Sequence, residues 1–370
     1  MLRSQSKIDI LSLNLDELTE NVCRLGVQKY RALQIFDWLH KKNVKSFCGM
    51  TNLPKSLREL LEQNFAIISV ENEKKLISKI DGTEKHLFKL HDGALVETVV
   101  MDYSFGKSVC ISTQAGCRMN CVFCASGETG LVRNLTAGEM LAQVYDAASP
   151  APTENVSAHE YNIIHLNHKG SINNNAKIKR IVLMGCGEPL DNFENVLRFL
   201  ELISHEKGRN IGQRNITLST CGIVPKIYEL AKLGMQINLA VSLHAPTNDI
   251  RKKLMPISKA YPLDELIASA KHYADATKRR VTYEYSLIDG MNDEISHAEK
   301  LAGLLSDSLC HINLIPVNNT SCDMSPSKPN KIASFCKTLE SHGIQTTIRR
   351  SIGNDINAAC GQLRGSRKKF

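Results

Sequence analysis

The chain has 370 residues, of which 42% are hydrophobic and 23% charged, with a net charge of +8. This is ordinary globular composition, enough for one large domain and a small one with a sizeable core. No run approaches about eighteen apolar residues, and the first twenty residues show no apolar stretch with a small-residue cleavage site. A membrane-spanning helix and a signal peptide are therefore not expected, and the expected location is cytoplasmic.

Residues 1–70 read as a small helical module. "LTENVCRLGVQKYRALQIFDWLHKK" carries apolar residues at helical spacing, and Pro54 opens a second helix in "LPKSLRELLEQNF". Residues 71–106 read as antiparallel strands, "KKLISKI", "EKHLFKL" and "ALVETVVM", with turns at Asp81-Gly82 and Asp92-Gly93. From residue 107 to 355, strand and helix patterns alternate in six or seven repeats. Thr136 and Glu139 form the capping box of the first helix. Such repeats imply a parallel α/β sheet, either doubly wound or a full or partial barrel. Residues 149–177 interrupt the rhythm with a polar stretch that reads as a surface insertion, and its His159, His165 and His168 read as exposed loop histidines. Residues 356–370 form a last segment ending in a basic tail.

Twelve cysteines in a reducing compartment call for metal binding or catalysis where they cluster. Cys23, Cys48, Cys186, Cys221, Cys310, Cys322 and Cys336 are scattered and read as small core hydrophobes. Cys117, Cys121 and Cys124 are not scattered: they form C-x3-C-x2-C, with Cys110 seven residues upstream. Structural zinc takes four ligands, usually as two pairs. Three thiolates on an iron–sulfur cluster leave one iron open, able to chelate S-adenosylmethionine (SAM). The loop follows a strand that starts the β-α series, and sites in such folds lie at the carboxyl ends of strands. Other strand ends carry Gly185, Gly187 and Glu188 in "MGCGEPLDN", Ser219, Ser242 with His244, and Asn318. The glycines would let the backbone approach a ligand amine that Glu188 accepts from, and the four ends would ring one ligand.

The cysteine spacing, with Phe123 before the last cysteine, resembles the radical SAM superfamily. With "VETVVM", "MGCGEPLDN", "ITLSTCGIVP", "AVSLHAP", "RKKLMPI", "HINLIPVN" and "DINAACGQLRG", the chain resembles the RlmN family of dual-specificity RNA adenosine C2-methyltransferases over residues 95–365. The resemblance implies a partial (β/α)6-type radical SAM barrel with a small N-terminal helical accessory domain. It implies a [4Fe-4S] cluster on Cys117, Cys121 and Cys124, and SAM contacts at Gly187, Glu188, Ser219, Ser242, Leu243, His244 and Asn318. Two equivalents of SAM are consumed per turnover. Cys360 matches the cysteine that carries the methyl group, Cys110 the one that resolves the covalent enzyme–RNA adduct through a disulfide, and Glu97 the proton acceptor. The implied partners are 23S rRNA, tRNA and an electron donor such as flavodoxin or ferredoxin, and a monomer is expected.

Three features depart from the family pattern: Cys186 stands where Met is usual, Cys221 where Ser is common, and the insertion is long. A C8-methylating relative, Cfr, typically reads "GEAL" where this chain has "GEPL" (Gly187–Leu190), which favours C2. A zinc-stabilised RNA-binding protein and a radical enzyme on a small molecule are the other readings. The segment with Cys360 argues against the latter, which needs no methyl-carrying cysteine. The positive balance suits phosphate contacts, the sparse aromatics (5%) suggest recognition by RNA shape, and the helical module is a candidate for holding RNA.

Overall fold

The computed structural model describes residues 7–147, 178–318, 324–363 and 366–367. The insertion at 149–177 with its three histidines, Cys322 and the side chains of the basic tail lie outside the described residues.

The N-terminal module holds β1 (Ile8–Asp9), α1 (Leu15–Arg24), α2 (Tyr30–His40), α3 (Lys55–Asn64) and β2 (Phe65–Ala66). Asn14 and Glu17 start α1 with a reciprocal capping box, and Pro54 precedes α3 as read from the sequence. The long apolar periodicity over 18–42 is two helices rather than one. Gly26 adopts φ 76°, a left-handed conformation that ends α1. Cys23 and Cys48 correct the core-filler reading: both are exposed, because they sit on the outer faces of their segments while Val22 and Phe47 point inward. The module seats on the barrel through its first turn, where the Gly138 N–H donates to Ser12 Oγ at 2.7 Å.

Next come β3 (Glu71–Ile77), β4 (Glu84–Lys89), β5 (Ala94–Tyr103) and β6 (Gly106–Cys110), then the short pair β7 (Gln114–Gly116) and β8 (Leu131–Asn134), and α4 (Ala137–Ala147). The alternating series continues through β9 (Ile178–Leu183), α5 (Phe193–Ser204), β10 (Ile216–Thr220), α6 (Val224–Lys232), β11 (Asn238–Ser242), α7 (Asn248–Leu254) and α8 (Leu263–Thr277). It ends with β12 (Val281–Leu287), α9 (Ile295–Leu305), β13 (Cys310–Pro316), α10 (Pro329–Ser341), β14 (Thr346–Ile348) and β15 (Ser366–Arg367).

One sheet runs in the order β14-β13-β12-β11-β10-β9-β6-β5-β4-β3, with β15 paired to β5. From β6 through β9 to β14 the neighbours are parallel; β3 to β6 are antiparallel. The strands 71–103 thus continue the barrel sheet, and among the described residues the sheet does not close. Helix α5 buries one apolar stripe with Val196, Phe199, Leu200 and Ile203, whereas α4 is buried on almost every face. No helix among the described residues is long and apolar enough to cross a membrane.

Gly185, just past β9, packs directly on the chain leaving β6. A Cβ there would stand 2.6 Å from the Ile111 carbonyl carbon. Gly185→Ala is expected to lose roughly 3 kcal/mol of stability in urea unfolding. Gly303, inside α9 with nothing within 4 Å of its Cβ position, is the control. Gly303→Ala should gain about 0.5–1 kcal/mol.

Candidate active site

The cysteine loop hangs from the β7–β8 pair. Gly116 turns with φ 76°, and a Cβ there would collide with the Gly130 carbonyl, to which the Cys117 N–H donates at 3.1 Å. Inside the loop the Cys124 N–H donates to the Cys121 carbonyl at 3.0 Å. Two outside contacts hold it: Val122 N–H on the Leu254 carbonyl of α7 (3.0 Å) and Ala125 N–H on the Gly361 carbonyl (2.8 Å).

Burial pushes the Cys117 thiol up to about 12, with nearby Glu188 and Cys124 adding to it. Burial also raises Cys121 and Cys124. Thiols that resist ionising alone suit a cationic inorganic group, which binds thiolates and repays their charge. Cys117, Cys121 and Cys124 share one cavity wall, and three thiolates there fit three corners of an iron–sulfur cluster whose fourth iron faces the cavity.

Beside the loop lies a cavity of about 150 Å³, open at its mouth. Its wall includes Cys117, Cys121, Cys124, Gly187, Glu188, Ser219, Ser242, His244, Asn318 and Cys360. Ten of the sequence-predicted residues thus meet on one cavity. Leu243, Cys110 and Glu97 do not line it. Leu243 is buried in the core, with its N–H on the Glu284 carbonyl at 3.0 Å.

The strand-end residues have defined roles in the scaffold. Glu188 is buried and accepts from Leu190 N–H (3.1 Å) and Cys221 N–H (2.7 Å). Its carboxylate retains lone pairs for a ligand donor. Gly187 adopts φ 110°, and a Cβ would meet Gln114 N at 2.8 Å. Gly185 and Gly187 therefore make room first for the protein's own chain, a different cause from the ligand approach expected from the sequence. His244 stands at φ 55° and accepts at Nδ1 from Ser286 N–H (2.9 Å), which leaves its proton on Nε2. Burial and then Arg251 depress it to about 3, so the ring is neutral. Its ring meets Phe123 edge-on at 4.6 Å.

Cys360 is exposed at the cavity, while Cys110 is buried behind it with Val99, Ala358 and Leu363. Burial, then the charge of Cys360, push Cys110 up to about 12. Glu97 is buried on β5, and Lys85 joins it at 2.8 Å while donating to the Asn357 carbonyl at 3.0 Å. The carbonyl of Cys360 accepts from Asn318 at 3.0 Å, and Ser351 donates to the same amide at 2.8 Å. Cys186 is fully buried outside the cavity wall, whereas Cys221 is on that wall beside Glu188.

Sequence reasoning missed Lys85, Glu284, Arg349 and Arg251. Arg349 pairs with buried Glu284 at 3.4 Å, and both line the cavity near Cys360. Arg251 has no exposed surface and donates to the carbonyls of Cys221 (2.7 Å), Ser242 (3.2 Å) and Leu243 (3.2 Å). It braces two adjacent strand ends from α7, the helix whose last carbonyl also holds the cysteine loop.

Residues 8–67 match the ribosomal RNA large subunit methyltransferase N-terminal domain, and residues 171–302 match the radical SAM superfamily. A relative from Clostridium novyi (strain NT), "Probable dual-specificity RNA methyltransferase RlmN", is 50% identical over 96% of this chain and 97% of its own length. A protein of the same name from Geobacillus kaustophilus (strain HTA426) is 48% identical over 97% and 93%. The crystal structure of a radical SAM methyltransferase from Sphaerobacter thermophilus superposes with TM-score 0.86 and 42% identity, covering 96% of this chain and 99% of that one.

Arg251→Met strands several buried carbonyls, each worth about 1–3 kcal/mol when unsatisfied. Urea unfolding of the metal-free chain should show a loss of roughly 3 kcal/mol or more, and Arg251→Lys should recover part of it.

Proposed function

Because the chain belongs to the RlmN family of radical SAM RNA methyltransferases, we propose that it methylates C2 of adenosine in RNA through a methyl-carrying cysteine. Its substrates are one adenosine of the peptidyl-transferase centre of 23S rRNA and the adenosine 3′ of the tRNA anticodon. The observation that carries this reading is the pair of unlike thiols: Cys360 exposed at the cavity, and Cys110 buried behind it.

Cys117, Cys121 and Cys124 would hold a [4Fe-4S] cluster. Gly187, Glu188, Ser219, Ser242, His244, Asn318 and the main chain at Leu243 would hold SAM. A cluster bound there would supply the electron for reductive cleavage of SAM, the chemistry by which the methylated carrier would lose a hydrogen atom. The protein's own groups do the rest. Exposed Cys360 takes the methyl group of a first SAM: its sulfur–carbon bond forms as the sulfonium bond breaks, and the thiol proton leaves. Cys110, held protonated by burial, does not compete as a methyl acceptor. The carbon radical left on the Cys360 methylene adds to C2, an electron-poor carbon that no ordinary sulfonium transfer reaches, and Glu97 accepts the C2 proton. Cys110 then loses its proton and attacks the sulfur of Cys360. The S–S bond forms as the sulfur–carbon bond to the product breaks, the freed methylene carbon takes up a proton, and the one surplus electron would leave to the bound cluster; external thiols reduce the disulfide before the next turnover. A flavodoxin or ferredoxin delivers the electrons, and the working unit is a monomer.

Nucleoside mass spectrometry of rRNA and tRNA, analysed separately, tests this in cells lacking the protein. Complementation with the wild type should restore 2-methyladenosine, and Cys360→Ala should not. Appearance of 8-methyladenosine would overturn the C2 assignment. Absence of both, from protein with its iron and sulfide intact, would overturn the RNA assignment. Alanine at Cys117, Cys121 or Cys124 should each abolish bound iron and sulfide and the brown absorbance of the anaerobically reconstituted protein.

A further inference from the structure

The hairpin joining β5 to β6 ends in an unusual turn. Tyr103 and Gly106 are its closing pair, so Ser104 and Phe105 form a two-residue loop. Such loops favour Asn, Asp and Gly. Here an aromatic ring stands in the turn with 41% of its surface exposed. The rings of Phe105 and Tyr103 stack at 5.0 Å with an interplanar angle of 9°. The guanidinium of Arg180, an exposed residue of β9, lies over Phe105 at 3.9 Å. The structure thus presents two stacked rings and a guanidinium together at the tip of one hairpin.

The register fixes where this stack leads. Val99 lies opposite Cys110, Met101 opposite Ser108 and Tyr103 opposite Gly106. Residues two apart on a strand share a face, as do directly opposed residues of an antiparallel pair. Glu97, Val99, Met101 and Tyr103 therefore form one row on the face that carries Cys110. The Tyr103 hydroxyl donates to the Met101 sulfur at 3.7 Å, within that row. It also lies within electrostatic range of Arg349, Cys360, Arg180 and Cys110. The row runs from the face beside Cys110 outward to the exposed ring.

We propose that Tyr103, Phe105 and Arg180 form a stacking platform for an unpaired RNA base flanking the target adenosine. A nucleobase offers a π-face to a ring or a guanidinium whatever its identity, so the platform would hold the strand without reading sequence. Its position suits a strand that must be unstacked for its adenosine to reach Cys360 on the cavity wall. This rests on RNA being the substrate, as proposed above.

The test uses the anaerobically reconstituted full chain and a labelled RNA stem-loop with the unpaired adenosine, intact or with abasic sites at its neighbours. Phe105→Ala should weaken binding of the intact RNA about tenfold. The slope of log Kd against log salt should not change, since no charge is removed. Phe105→Trp should restore binding, and SAM affinity and melting temperature should hold throughout. One neighbouring abasic site should weaken the wild type by a similar factor and Phe105→Ala hardly at all. Wild type that fails to bind the intact RNA would overturn the RNA reading itself. Wild type that binds it equally with and without Phe105, or an abasic cost equal in both proteins, would overturn the platform alone.

Discussion

The site depends on two strand ends touching main chain to main chain. The chain leaving β6, residues 111–114, lies against the turn after β9, residues 185–188. Gly185 N–H donates to the Ile111 carbonyl at 3.0 Å, and the N–H groups of Thr113 and Gln114 return to the Cys186 carbonyl at 2.9 and 3.1 Å. Gln114 adds an acceptor for the Glu188 N–H at 2.8 Å. Only glycine at 185 and 187 permits this approach. The contact fixes Glu188 relative to the first residue of the cysteine loop, because Cys117 follows three residues after Gln114. The start of the loop is thereby placed against the turn that carries Glu188, while Leu254 and Gly361 hold its middle.

A second scaffold comes from the far end of the chain. Residues 353–363 cross from the antiparallel strands to the cysteine loop and are held at both sides. Asp81 accepts from the Gly353 N–H and Asp355 from the Lys79 N–H, at 2.9 and 3.0 Å. Across the cavity, the carbonyls of Gly361 and Leu363 accept from Ala125 and Ser126 at 2.8 and 2.7 Å. Cys360 sits between these anchors, in a segment pinned to the loop it must serve.

Much of this was legible in the sequence because it is local. Three cysteines within eight residues announce themselves, and alternating apolar runs reveal a parallel sheet whatever its closure. What stayed hidden depends on tertiary burial. Arg251 stands in "RKKLMPI", a stretch that matches the family but assigns it no role, and only its position under two strand ends distinguishes it from Lys252 and Lys253, which are exposed. Lys85 looks like any strand lysine until Glu97 is seen beside it. The apolar periodicity runs straight through Gly26, so the helix break left no mark there. Cys23 was misread because composition does not say which side of a helix a residue faces. A low aromatic count concealed that two of those rings stack at the end of the cysteine row.

The shared ammonium of Lys85 has a consequence for descent. One cation touches both the buried acid on β5 and the segment bearing Cys360. Neither can drift alone, since moving the acid leaves the segment's carbonyl without its donor, and moving the segment leaves the acid with a displaced partner. Substitution at Lys85 and at Glu97 is therefore expected to be concerted, whereas residue 357 offers its main-chain carbonyl whatever its side chain.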